Sequence, residues 1–194
     1  MGAYFFNVTK TVCDNSLLTG VDNCRAIFSS FYDADSPTTL NDAKLENSAG
    51  SGWTPGLRTN PWRHSVVIDF WTRVRVSGVR VGSPADPAKF RRPTSMYVEI
   101  GVSGQAWRRV GGKYSLTVVN AKGQAEVKLE KAVSGRFLKL VFNDDAESEK
   151  EKPLNVKFDV VGCKLTKIGE RFFQLTESSC LMSHLPLNKD TWHL

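Results

Sequence analysis

"SVVIDFW" (65–71), followed after Thr72 and Arg73 by "VRVSGVRV" (74–81), is the stretch that decides the fold. The first piece is an apolar run broken by one acid, which suits a buried strand. The second alternates, with Val74 and Val76 set against Arg73 and Arg75. It resumes with Val79 and Val81 against Arg80, and Gly78 breaks the phase, which predicts a bulge. Further strand patterns follow in "SMYVEIGVS" (95–103), "YSLTVV" (114–119), "AEVKLEKAV" (125–133), "RFLKLVF" (136–142) and "LNVKFDVVGC" (154–163). In the third of these Val127 and Leu129 alternate with Glu126, Lys128 and Glu130. The connecting segments "GSPADP", "NAKGQ", "VSG" and "NDDAESEKEKP" carry turn residues. No segment sustains helical periodicity, so the chain reads as an all-β antiparallel sandwich or barrel. "DAESEKEK" (145–152) reads as a solvated loop. Residues 164–194 lack alternation and read as a tail or the start of a neighbouring module.

Composition narrows the function classes. At 194 residues and 41% hydrophobic, the chain can bury a core, which argues against global disorder. The formal charge of +6 favours anionic partners such as acidic glycans, phospholipid head groups or nucleic acid. The basic residues are scattered over strands, however, and a solvated sheet face accounts for them as well. No apolar run has the ~18 residues needed to span a membrane. "MGAYFFNVTK" has no apolar core of signal-peptide length and fits either an excerpt of a larger multidomain protein or a natural N-terminus. Cys13, Cys24, Cys163 and Cys180 form no C-x-x-C pair, and with three histidines a zinc site is poorly supported. Two cysteines lie near each end, a distribution that suits disulfides and an oxidising compartment; four reduced core thiols are the alternative. Asn7-Val8-Thr9 is a glycosylation sequon.

The order of the pieces resembles the discoidin (F5/8 type C) family, with its galactose-binding-like fold. The pieces are Cys13, "IFSS" (27–30), "SGWTP" (51–55), "VVIDF" (66–70), "VSGVRVG" (76–82), "YVEIGVSGQAW" (97–107), "GRFLKLVF" (135–142) and "FDVVGC" (158–163). Phe28, Phe70 and Gln105 depart from the family pattern. The resemblance implies a jelly-roll β-sandwich with an eight-stranded core over residues 13–163, an extension over 1–12 and a further segment over 164–194. It also implies a Cys13–Cys163 closure, which leaves Cys24 to pair with Cys180. A loop of about 150 residues closed in that way would contribute up to ~5 kcal/mol by chain entropy. Trp53 is expected to plug the base of the loops and Trp107 to lie in the core. Asp69 and Arg136 are expected to form a buried structural ion pair.

Domains similar to this one bind through loops at one end of the sandwich, and three loops map there. The first holds Phe31, Tyr32, Asp33 and Asp35; the second Arg58, Asn60, Trp62, Arg63 and His64; the third Asp86, Lys89, Phe90, Arg91 and Arg92. For a glycan, Tyr32 or Trp62 would stack, while Asp33, Asn60, Arg63 and His64 would bond hydroxyls or acids. For an anionic phospholipid surface, Phe31 and Phe90 would insert beside Lys89, Arg91 and Arg92. For a protein partner, Trp62 and Arg63 would anchor a trench. Asp33 and Asp35 with backbone carbonyls could hold a structural calcium ion. Catalysis is poorly supported, because His64 is the one histidine inside the domain and no nucleophile elbow or metalloprotease helix accompanies it. Nucleic acid is disfavoured for want of a recognised module or a basic helix. The expected protein is therefore a non-catalytic extracellular adhesion or lectin-like glycoprotein module. A glycan is the first ligand, with a protein partner or an anionic membrane as alternatives, and no cofactor is required.

Overall fold

In the computed structural model, residues 15–18, 24–29, 39–56, 63–82, 84, 86, 88–143, 152–168 and 171–174 are described. They form eight strands and one helical turn. In chain order these are β1 (Asn15–Ser16), β2 (Arg25–Phe28), α1 (Leu40–Ala43), β3 (Arg63–Gly82), β4 (Ser95–Gly101), β5 (Arg108–Ser115), β6 (Ala125–Asn143), β7 (Lys157–Ile168) and β8 (Arg171–Gln174). Every strand pairing is antiparallel.

Two long strands build both layers of a sandwich. "SVVIDFW" and "VRVSGVRV" are halves of the single strand β3, and "AEVKLEKAV" and "RFLKLVF" are halves of β6. The first half of β3 pairs with β2 and with the last part of β6, which continues to β4 and β5. The second half of β3 lies between β7 and the first part of β6, and β1 adds to β7. The corner between the halves spans residues 70–73 of β3, where the register shifts between Asp69 and Val74. The predicted bulge is present at Ser77: Val76 faces Gly162 and Gly78 faces Val161, so Ser77 is the extra residue.

The alternation sets the core. Val66, Ile68 and Phe70 of one half and Val74, Val76, Val79 and Val81 of the other point inward, meeting Met96, Val98, Ile100, Leu138, Leu140, Phe142, Phe158 and Val160. The Phe142 and Phe158 rings, one from each layer, lie 6.3 Å apart. Each fully buried side chain of this size contributes about 1.5–3 kcal/mol relative to exposure. "SVVIDFW" is not buried on both faces, as its apolar run suggested. Val67 and Asp69 occupy a half-covered outer face while their neighbours fill the core.

Three further elements differ from the sequence reading. β5 starts at Arg108 rather than at 114, because the strand runs through Gly111 (φ 67) and Gly112 in a register irregularity opposite Val98 and Met96. The short helix α1 is nucleated by a capping box, in which the Thr39 hydroxyl and the Asp42 carboxylate each satisfy the other's backbone N–H. One turn is too short to leave a periodic signal. β7 also continues past Cys163 to Ile168 and turns back into β8, so strands cross the expected boundary at 163.

Candidate ligand-binding site

The pairing register gathers the loop bases at one end. Arg63, which opens β3, faces Asn143 at the end of β6, and Asn143 also faces Ser95 at the start of β4. β2 ends at Phe28, opposite Val66, so the chain leaves β2 and enters β3 at this same end. The segment after β3 returns here through Arg91, which bridges Leu154, and Thr94, whose N–H donates to the Asn143 carbonyl. Trp53 bridges Val156 in the same region, with its N–H and carbonyl 2.9 and 2.8 Å from the partner atoms.

Trp53 is fully buried, as the plug reading expects. Its indole lies 5.0 Å from the Phe28 ring, 6.2 Å from Phe142 and 6.5 Å from His64, ring centre to ring centre. The strand reading overlooked the residue that fixes this segment. Asn155 is buried, and its amide donates to the Ser51 carbonyl at 2.9 Å and the Thr54 hydroxyl at 3.0 Å. Gly52 has φ 79, and any Cβ there would strike the Asn155 carboxamide. The glycines of "AGSGWTPG" thus let backbone pass over Asn155. An Asn beside a strand start was the available sequence signal.

On the third loop, Asp86 folds the apex. Its Oδ1 accepts from the Ala88 N–H at 3.0 Å, and its carbonyl accepts from the Phe90 N–H at 2.9 Å. Lys89 projects into solvent with its ammonium 3.6 Å from the Asp86 carboxylate. Phe90 and Arg92 are half-buried, and one Arg92 nitrogen donates to the Thr117 carbonyl at 3.4 Å.

Two of the expected contact residues are placed inside rather than on loop tips. Arg91 is 7% exposed, with its Nε donating to the Lys152 carbonyl at 2.5 Å, so its side chain closes the 152–155 segment. His64 is 3% exposed and packs edge-on to Trp53. Arg63 is located at the base of the second loop by its backbone. Tyr32, Asp33, Asp35, Arg58 and Trp62 lie outside the described residues, as do Asn7, Cys13 and Cys180. Among the described residues no group of His, Cys, Asp and Glu side chains could hold a metal ion.

The cysteine expectation needs one correction. Cys163 is disulfide-bonded, but Cys24 is a free thiol, so Cys24 does not pair with Cys180. Cys24 packs against the core, and burial pushes its pKa up to about 11. Trp107 is half-buried at the rim of a cleft of about 310 Å³ rather than in the core, with the Lys139 ammonium 5.7 Å from its ring centre. The Asp69–Arg136 pair exists and is bidentate, at 2.8 Å twice. It sits on the half-covered outer face rather than in the interior. Hydrogen bonding from Arg136 holds the Asp69 carboxyl below its usual range.

The two-layer sandwich with loops gathered at one end is the discoidin-like fold. Discoidin II of Dictyostelium discoideum superposes with a TM-score of 0.60 at 11% identity, over 77% of this chain and 58% of that one. CpGH89CBM32-5, a CBM32 module from Clostridium perfringens solved with GalNAc-β-1,3-galactose, gives 0.53 at 12% over 75% of this chain and 99% of that one. A fucolectin from striped bass (Morone saxatilis) serum gives 0.52 at 19% over 78% and 50%. No family model and no curated protein matches the chain in sequence.

Proposed function

We propose that the chain is a non-catalytic extracellular recognition module that binds a cell-surface or matrix glycan through the loop end. The observation that carries this reading is the convergence at one end of the sandwich. The bases of three loops meet there over a rigid floor of Trp53, His64 and Phe142. A buried aromatic floor allows the loops to vary without loss of the fold. Structures of the same fold include a lectin and a module holding GalNAc-β-1,3-galactose, which supports a saccharide as the ligand class.

Lys89, Phe90 and Arg92 supply the third loop's share of the site, with the Asp86 turn presenting them. Trp62, Tyr32, Arg58 and Arg63 supply stacking and bidentate groups from the other two loops, and Asp33 and Asp35 supply acceptors or a calcium site. His64 and Arg91 act from beneath as support. The disulfide at Cys163 favours an oxidising compartment.

The test is a glycan array with the wild-type chain, with Trp62→Ala/Arg63→Ala and with Lys89→Ala/Arg92→Ala, each with and without EDTA. Selective binding that falls at least tenfold in either double variant supports the reading. A blank array from folded protein would turn the assignment to a protein partner or an anionic membrane.

A further inference from the structure

Trp71 is an unusual residue to find where it is. It is 50% exposed, and its backbone is left-handed, with φ 57. A tryptophan rarely adopts that conformation, and among the described residues it is the one non-glycine with positive φ. The conformation is held rather than accidental: the Trp71 N–H donates to Asp69 Oδ1 at 2.8 Å. The same carboxylate grips Arg136, whose guanidinium lies 5.3 Å from the Trp71 ring centre and 4.9 Å from that of Phe137. The guanidinium of Arg25, across the strand pair from Asp69, lies 5.7 Å from the indole centre. An exposed ring is thus fixed at the β3 corner with two guanidinium groups against it.

The charge balance on this face is uneven. Asp69 is matched by Arg136, and Glu99 is shared by Lys139 at 3.4 Å and Arg109 at 3.5 Å. Arg25 is exposed and faces Asp69 across the strand pair, where its charge helps hold that carboxyl low, but the Asp69 carboxylate is taken up in the bidentate pair with Arg136. Ile27, 69% exposed, lies on the same face two residues along β2. The place is remote from the loop bases: Trp71 stands eight residues from Arg63, or about 25 Å of strand.

We propose that Trp71 and Arg25 form a second binding site, for an anionic saccharide residue bearing a carboxylate or sulfate. The indole would take the apolar C–H face of the sugar ring. Arg25 would take the anion in bidentate fashion, and Asp69 and Arg136 would act as positioning residues that hold the indole in place. This assignment stands independently of the loop-end reading.

The experiment measures binding of a heparin-derived hexasaccharide by calorimetry, with the neutral chitohexaose as comparator. The proteins are the wild type, Trp71→Gly, Arg25→Ala and the basic-surface control Lys122→Ala. Glycine accepts a positive φ, so Trp71→Gly removes the ring without straining the corner, and a thermal melt checks that it stays folded. The expected result is hexasaccharide binding that weakens at high salt. Affinity falls tenfold or more in Trp71→Gly and Arg25→Ala, and less than threefold in Lys122→Ala, whose exposed side chain lies on the turn before β6. Three results would overturn the proposal: no hexasaccharide binding to the wild type, unchanged affinity in folded Trp71→Gly, or chitohexaose binding as tightly as the hexasaccharide. A folded Trp71→Gly protein that sediments differently while its hexasaccharide affinity is unmoved would assign the surface to a second copy of the chain instead.

Discussion

Trp53→Ala should be among the most destabilising single substitutions in this chain. The indole has no exposed surface and contacts Phe28, His64 and Phe142. The backbone bridge to Val156 survives truncation, since it uses only main-chain atoms. The loss is therefore transfer energy plus the cavity left behind. The surrounding walls are strand backbone locked in ladders, which cannot collapse far into the space. Large aromatic truncations at such sites cost about 3–5 kcal/mol. That is a large share of a typical total stability of about 5–15 kcal/mol. Trp53→Phe keeps one ring and should cost only about 1–2 kcal/mol. Urea unfolding followed by circular dichroism measures both, as a shift in midpoint at constant slope. Glycan binding by folded Trp53→Phe should match the wild type. An alanine variant within about 1 kcal/mol of the wild type would refute the plug argument. So would a fully stable phenylalanine variant that no longer binds.

Other consequences follow from local geometry. Gly52→Ala should cost more than about 2 kcal/mol, since it combines left-handed strain with displacement of Asn155. The melting temperature should fall by about 4–8 °C, whereas Gly112→Ala, with nothing within 4 Å of its Cβ, should scarcely change it. Two carboxylates should pull the pH dependence of stability in opposite directions. Asp69, held low by Arg136, contributes stability above its usual 3.8 that is lost as pH falls through its depressed value, so Asp69→Asn should flatten the acid limb. Asp159, raised by burial, contributes stability below 3.8 that is lost as pH rises through its raised value, so Asp159→Asn should gain on the wild type over that rise. Cys24, with its pKa near 11, should alkylate at pH 8 on the order of a hundredfold more slowly in the native protein than after unfolding. Peptide mapping should find Cys163 labelled only after reduction.

Much of the fold was legible because strand alternation is a direct imprint of a half-buried sheet. Val127 and Leu129 against Glu126, Lys128 and Glu130 gave the inward face of β6, and the phase break at Gly78 gave the bulge. The fusion of four strand signals into two long strands was not legible. The corner at residues 70–73 is made by tertiary pairing and by a left-handed tryptophan, which sequence propensity opposes. β5 was misplaced because Gly111 and Gly112 look like a turn, yet the ladder continues through them. Within the candidate site, the burial of Trp53 was implied by the resemblance of "SGWTP" to the family pattern, not by any local periodicity. His64 and Arg91 stood among the contact residues because both are polar and lie on segments that the resemblance maps to the binding loops. Their burial arises from long-range partners at Trp53 and Lys152, which no local pattern reveals. Cys24 shows the same limit, for cysteine parity cannot tell a core thiol from a bridge.

The most direct test of the central claim is a nuclear magnetic resonance titration of the isotopically labelled chain with the tightest-binding saccharide from the array. The account predicts that amide shifts concentrate at residues 57–63 and 88–92, with smaller changes at Trp53 and His64 beneath. A neutral saccharide should leave the corner around Trp71 unmoved. Shifts confined to the corner or the outer face, with the loop end silent, would contradict it.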